Sequence, residues 1–146
     1  MNTIKELEDL QNEMQNWRRD IHAHPEIAFE EHRTAKIVAE KLESFGLEVE
    51  TGIAGTGVVG TLKKGTGNRS IGLRADLDAL LINEANDFEH KSKNPGKMHV
   101  CGHDGHILMY YNSFHLFETA ADLILYDVLK LSEYLISQRI STLVGW

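Results

Sequence analysis

The side chains best suited to chemistry are concentrated at residues 98–106, which read Met–His–Val–Cys–Gly–His–Asp–Gly–His. Thiolate, imidazole and carboxylate groups are the usual protein ligands of zinc and related divalent ions. Cys101 and His103 are two positions apart, so on an extended segment their side chains point the same way. We therefore predict that Cys101 and His103 bind one divalent metal ion.

The surroundings of this pair leave alternatives open. We predict that Asp104 caps a helix after the motif, which places Cys101 near a helix N-terminus, where its thiolate form is favoured. The alternative is a small core cysteine beside ordinary loop histidines. Structural zinc sites normally have four ligands in paired spacings. The remaining ligands must therefore come from elsewhere in the chain, from a partner, or not at all.

A second group of candidates follows the apolar residues 70–76, whose pattern predicts a short buried strand. Asp76 and Asp78 lie at its carboxyl end, where open α/β sheets place ligands. A carboxylate there can accept the free ring N–H of a metal-bound histidine. From spacing alone, a turn or capping role for the two aspartates is equally well supported.

Two further motifs favour structural roles. Residues 18–26 contain two histidines and Glu26 near a helix end, and a solvated helix end stopped by Pro25 explains them better than a metal site does. Residues 55–60 are rich in glycine but lack the Lys–Ser/Thr of a phosphate-binding loop, which indicates a strand and turn.

The elements that must position these residues follow from hydrophobic spacing. Apolar residues three and four apart predict an amphipathic helix that begins near Thr3 and ends before Pro25, and a second helix over about 30–45. Alternation from Leu47 predicts strands, residues 83–97 a long loop, and residues 116–136 one or two helices. The predicted class is α/β, with two N-terminal helices, a central sheet and helices after the metal motif.

Composition narrows the range of functions. The chain has 146 residues, one domain's length, and its formal charge of −7 opposes binding to nucleic acid and to anionic membranes. No apolar run approaches the length of a membrane span. The single cysteine excludes an internal disulfide and the first residues lack a secretory pattern, so we expect a cytoplasmic protein.

Four motifs in this order resemble the aminoacylase-like metalloamidohydrolases, which include hippurate hydrolases, N-acyl-amino-acid amidohydrolases and auxin-conjugate hydrolases. They lie at residues 18–26, 55–60, 73–80 and 98–106. The resemblance implies that Cys101 and His103 ligate a divalent metal, zinc or manganese, with up to two ions in the family. It also implies that Asp76 is a supporting carboxylate, and that metal-activated water hydrolyses the amide of a small N-acyl amino acid.

The resemblance ends near residue 109. We therefore expect residues 1–109 to be the N-terminal part of a catalytic domain, and residues 110–146 to be a divergent helical tail without a domain of its own. The family's Pro–Ala–Glu–Glu motif, which supplies its general base, does not occur in the sequence, and the family's dimerisation domain has no counterpart. A frameshift or truncation would explain the change. The expected function is an impaired amidohydrolase, and the alternative is an inactive fragment or metal-binding interaction module.

Overall fold

A computed structural model describes residues 3–63, 65 and 70–119, with side chains described for residues 11–63, 65 and 70–111. It contains three helices and one two-stranded antiparallel sheet. In chain order these elements are α1 (Thr3–Ala23), α2 (His32–Ser44), β1 (Glu48–Ile53), β2 (Gly57–Thr61) and α3 (His103–Thr119). The predicted mixed α/β class is confirmed. The predicted helical residues 120–136 lie outside the described part of the chain.

The two N-terminal helices begin and end where local signals place them. α1 ends two residues before Pro25, and α2 is followed by Gly46 at a φ of 75°, a left-handed conformation that glycine adopts without strain. The side chain of Glu26 caps α2, because its carboxylate accepts the backbone N–H groups of Arg33 and Thr34 at 3.0 and 2.7 Å. One carboxylate thus satisfies two donors that the helix itself leaves unpaired.

A hairpin follows α2 and packs against it. β1 and β2 pair antiparallel from Glu48–Thr61 to Ile53–Gly57, with an irregularity between Thr51 and Ile53. Gly57 is required at the turn, since a Cβ atom there would lie 2.5 Å from the carbonyl oxygen of Ile53.

The core lies where α1, α2, α3 and the hairpin meet. Its buried members come from each of these elements or the connections between them: Ile21, Val38, Leu42, Leu47, Ile107, Leu108 and Tyr111. Burying seven apolar side chains at one junction holds α3 against α1. This matters for the site, because the Cys101 motif lies at the start of α3.

The prediction of a buried strand at residues 70–76 is wrong. These residues are irregular, and Ile71 and Leu73 are each 49% exposed. Strand structure needs hydrogen-bonded neighbours, and in the described residues this region pairs only further along, through isolated bridges of Ala79 to Ile27 and of Leu80 to Met98. Those two bridges, with backbone N–H to carbonyl distances of 2.7 to 3.0 Å, hold the start of the long loop in place.

The loop at residues 83–97 is confirmed, since it contains neither helix nor strand. It is nonetheless tied to the end of α1, where the backbone N–H of Lys93 donates to Ala23 at 2.8 Å and the Asn94 amide donates to Pro25 at 2.9 Å. Among the helices described, none is long and apolar enough to cross a membrane.

Candidate metal site

The metal motif straddles the start of α3. His103 is the first residue of the helix, while Cys101 and Gly102 form the turn before it, with Gly102 at a φ of 80°. The segment is therefore a turn, and not the extended stretch that the spacing argument assumed. Cys101 does lie just before a helix N-terminus, as predicted, and it is exposed and unpaired with any other cysteine.

His103 is oriented by Asp78. Its Nδ1 lies 2.9 Å from the backbone carbonyl oxygen of Asp78 and 3.0 Å from the Oδ1 atom of the same residue. Both are acceptors, so Nδ1 carries the proton and donates it. The neutral ring then has its lone pair on Nε2, the arrangement that a metal-bound histidine usually shows.

Asp76 lies elsewhere. Its Oδ1 accepts hydrogen bonds from Arg74 Nε at 3.0 Å and Nη2 at 2.7 Å, and its side chain is 37% exposed. From the sequence, either Asp76 or Asp78 was expected to accept the free ring N–H of a metal-bound histidine. In the structure that contact belongs to Asp78, and the role of Asp76 stays a prediction.

The predicted capping role of Asp104 is wrong. It is not a capping residue before the helix, because it lies inside the first turn of α3 and is fully buried. Its Oδ2 atom instead meets His22 Nδ1 at 2.9 Å and Arg18 Nε at 3.1 Å, both from α1. The motif is therefore anchored to the first helix of the chain through its own aspartate.

The other nitrogen of His22 meets a third element. His22 Nε2 lies 3.1 Å from Glu84 Oε1, at the start of the long loop, and both side chains are nearly inaccessible to solvent. Burial alone would raise the pKa of Glu84, but hydrogen bonds from Asn86, Ser92 and His22 outweigh it and lower that pKa. Glu84 is therefore ionised at neutral pH.

His22 thus contradicts the prediction of a solvated helix end, although the end itself is where Pro25 placed it. His24 is closer to that prediction, with a side chain 30% exposed and a contact to the Asp20 carbonyl oxygen. Sequence reasoning missed Glu84 as a site residue, because it stands in a polar loop with no spacing signal. Its importance arises only from its contact with a residue 62 positions earlier.

His99 is buried beside this cluster, with 3% of its surface exposed. Neither ring nitrogen has a hydrogen-bond partner among the residues that the structure describes. Burial lowers the pKa of His99, and the nearby Asp104 carboxylate opposes this effect only in part. The His99 ring is therefore neutral at pH 7.

The donor set at the turn is incomplete. Among the side chains of residues 11–63, 65 and 70–111, no group of three or more histidine, cysteine, aspartate or glutamate residues is arranged to hold a metal ion. Cys101 and His103 supply sulfur and nitrogen donors of the kind that zinc prefers, and they amount to half of a usual four-ligand shell. The donor atoms are therefore of the right type for a metal ion, but there are two of them where four are usual.

Comparisons with known proteins identify relatives of this chain. Residues 72–125 match the family model described as peptidase family M20/M25/M40. A hippurate hydrolase of Campylobacter jejuni is 54% identical over 106 residues, which are 73% of this chain and 28% of that protein. An N-acyl-L-amino acid amidohydrolase of Geobacillus stearothermophilus is 44% identical over 120 residues, covering 82% of this chain and 32% of that protein.

A solved structure shows the same fold. The Bacillus subtilis YxeP protein, described as a dinuclear metal binding peptidase from the M20 family, superposes with a TM-score of 0.72 at 34% identity. The match covers 77% of this chain and 32% of that one. This chain thus spans about a third or less of the length of the relatives named here. The matching family model, the identities and the shared fold together show that the chain is related to peptidase family M20/M25/M40 over the part of those proteins that it matches.

Proposed function

We propose that this chain carries the metal-binding part of a hydrolase that cleaves the amide bond of N-acyl amino acids or related small molecules. Cys101 and His103 are the proposed metal ligands, zinc or manganese the proposed ion, and Asp76 a proposed supporting carboxylate. Residues 1–109 are proposed to form the N-terminal part of the catalytic domain and residues 110–146 a divergent tail. The names of the relatives, hippurate hydrolase and N-acyl-L-amino acid amidohydrolase, support this substrate class.

The observation that carries the proposal is the contact between Asp78 and the Nδ1 atom of His103. A carboxylate that accepts one ring N–H makes the other nitrogen a better electron donor and holds the ring in one orientation. Cys101, two residues earlier, is exposed, so a substrate can approach the ion from solvent. Histidine held in this way beside an accessible cysteine is typical of a metal site and has no evident use in a surface turn.

A divalent ion bound at this pair would polarise the substrate carbonyl and lower the pKa of a water molecule. The chain's own residues would hold the ion and orient its ligands. They would not complete the reaction, because the sequence contains no Pro–Ala–Glu–Glu motif to supply a general base. General acid–base assistance contributes roughly 10²- to 10⁴-fold to rate, so we expect very low turnover from this chain alone.

The second candidate function is a metal-binding module without catalysis. The number of donors favours it, since the described residues provide only the pair at the start of α3. A two-ligand site also binds metal more weakly than a four-ligand site, which makes affinity informative about both candidates.

Release of free amino acid from a panel of N-acyl amino acids, hippurate included, tests the proposal. The full chain would be assayed with added zinc or manganese beside a Cys101→Ala control. Activity that the control loses would support the hydrolase and mean that further ligands and a base are present. Metal binding without activity would support the module, and the absence of Cys101-dependent metal binding would contradict both candidates.

A further inference from the structure

His22 lies between two carboxylates that are far from it in the sequence. Its Nδ1 atom meets Asp104 at 2.9 Å, 82 residues away, and its Nε2 atom meets Glu84 at 3.1 Å, 62 residues away. The side chains of all three residues are between 1% and 6% exposed. Such a contact joins α1, α3 and the long loop at one buried point.

Hydrogen-bond partners let these polar side chains be buried. The two ring nitrogens of His22 each face one carboxylate, and Arg18 Nε lies 3.1 Å from the same oxygen of Asp104 that faces His22. Buried polar side chains are normally hydrogen-bonded, and each of the three buried residues has at least one such partner here.

His103 and its partner Asp78 are both connected to the buried group of His22, Asp104 and Glu84. Asp104 directly follows His103 in the first turn of α3, so fixing its carboxylate to α1 fixes the position of the His103 backbone. Glu84 holds the start of the loop, and the strand bridge at Leu80 lies between it and Asp78. A charge-assisted hydrogen bond has a narrow range of lengths and angles, so it sets position as well as energy.

We propose that His22 is a positioning residue for the metal pair, which it holds in register with Asp78 through Asp104 and Glu84. The inference rests on the proposed metal site. His22 does not contact the ion in this view. It acts through its two carboxylate partners, and its removal loosens the angle at which His103 faces the ion.

Zinc titration of the full chain, with a chromophoric chelator as competitor, tests this inference. His22→Gln removes the ring that bridges the two carboxylates, and we expect zinc affinity to fall about tenfold, as for other residues that orient metal ligands. Cobalt(II) would report geometry separately, because its absorption spectrum depends on ligand angles. The spectrum of His22→Gln should be broadened or shifted relative to the unsubstituted chain.

Three controls separate positioning from stability. His24→Gln changes the same residue type two positions away, where the partner is Asp20, and should leave zinc affinity unchanged. Val38→Ala weakens the core of α2 without touching the charged group, and should lower the melting temperature but not zinc affinity. Glu84→Gln keeps the shape of the loop anchor and removes its charge, so it provides a second variant if His22→Gln fails to fold.

Each outcome is decisive. Lower zinc affinity in His22→Gln or Glu84→Gln, with normal affinity in both controls, supports the inference. Normal affinity and an unaltered cobalt spectrum in both variants would overturn it while leaving the metal site intact. An equal loss of zinc affinity in Val38→Ala would show that His22 acts only by stabilising the fold, and would overturn the inference. A full chain that binds no zinc through Cys101 would remove the proposed function itself, and the inference with it.

Discussion

His103 and Asp78 form the contact on which the proposed chemistry depends. The imidazole Nδ1 atom lies within hydrogen-bond distance of both the carbonyl and the carboxylate of Asp78. Two acceptors at one N–H keep the ring in place even when one of them is weakened. The carboxylate of Asp76, two residues earlier, forms an ion pair with Arg74 at the surface. Neighbouring residues of the same type therefore have different environments, and hence different expected effects when they are replaced.

Asp78→Asn should weaken zinc binding about tenfold, the lower end of the range for partners of metal ligands, because the backbone carbonyl of Asp78 still accepts the His103 proton. Asp76→Asn is the matched control and should have a smaller effect, since its carboxylate contacts only Arg74 among the described hydrogen bonds. Isothermal titration calorimetry with zinc measures both. A larger loss for Asp76→Asn would show that Asp76 supports zinc binding more than Asp78 does.

Tyr111 presents a different case at the same scale. Its side chain packs edge-on against Trp17 and Phe45, with ring centroids 5.9 and 6.3 Å away, and burial raises the pKa of its hydroxyl. The hydroxyl oxygen has no hydrogen-bond partner among the described residues. A buried polar group without a partner costs about 1–3 kcal/mol, so this phenol opposes folding.

Tyr111→Phe should therefore leave the free energy of unfolding unchanged or raise it by up to about 1 kcal/mol. Tyr110→Phe is the matched control at the adjacent, less buried position, and its effect should stay within about 0.5 kcal/mol. Urea unfolding followed by circular dichroism measures both. A clear loss of stability in Tyr111→Phe would show that the hydroxyl is hydrogen-bonded in solution, for example to a buried water molecule.

At the scale of elements, neighbouring residues are enough to predict the helices, whereas the strand predicted at residues 70–76 does not form. A helix closes its own hydrogen bonds, so apolar spacing and a stop signal suffice to place α1 and α2. A strand takes its hydrogen bonds from neighbours, and the bridges at Ala79 and Leu80 are the ones this region has within the described residues. The apolar pattern of residues 70–76 therefore predicted a structure that its surroundings do not supply.

Glu26 shows how an element can be fixed by a residue outside it. Its carboxylate accepts two backbone N–H groups and the Thr34 hydroxyl, seven and eight positions along the chain. Glu26→Ala should lower the free energy of unfolding by about 1–2 kcal/mol, the usual cost of losing a helix cap.

Glu30→Ala is the control for that measurement. The Glu30 side chain is 59% exposed, and its contact within the described residues is a surface ion pair with Lys97, so its loss should cost less than about 0.5 kcal/mol. Chemical denaturation of both variants at neutral pH gives the comparison. Similar losses in the two variants would mean that the Glu26 contacts are not maintained in solution.

At the scale of the whole molecule, a few buried charged groups connect distant parts of the chain. His22, Asp104 and Glu84 join the first helix, the third helix and the loop between the sheet and the metal motif. The apolar core brings α1 and α3 together without fixing their register, because hydrophobic contact has no direction. Hydrogen-bonded charges add that direction.

The lowered pKa of Glu84 makes the fold sensitive to acid. Because the folded state holds the carboxylate ionised more strongly than the unfolded state does, the stabilisation is fully present above the ordinary glutamate pKa of about 4.3. It is lost as the pH falls through the lower pKa of the folded protein.

Glu84→Gln should therefore be less stable at pH 7 and should show a shallower loss of stability below about pH 4.3. Glu89→Gln, an exposed acid in the same loop, should follow the unsubstituted chain. Thermal unfolding from pH 3 to pH 7 measures all three proteins. A Glu84→Gln variant with an unchanged acid limb would show that the buried anchor does not contribute to acid sensitivity.

Helical periodicity, turn glycines and the chemistry of metal ligands are features of nearby residues, so the two N-terminal helices, the hairpin, the long loop and the candidate metal pair could be predicted from the sequence. The pairing of polar side chains follows from the three-dimensional fold: Asp78 contacts His103, Asp104 is buried against α1, and Glu84 contacts His22. These contacts join residues 25 to 82 positions apart, and no local pattern records which distant partner a polar side chain will meet. Folding makes that choice, because a buried charge must find its partner.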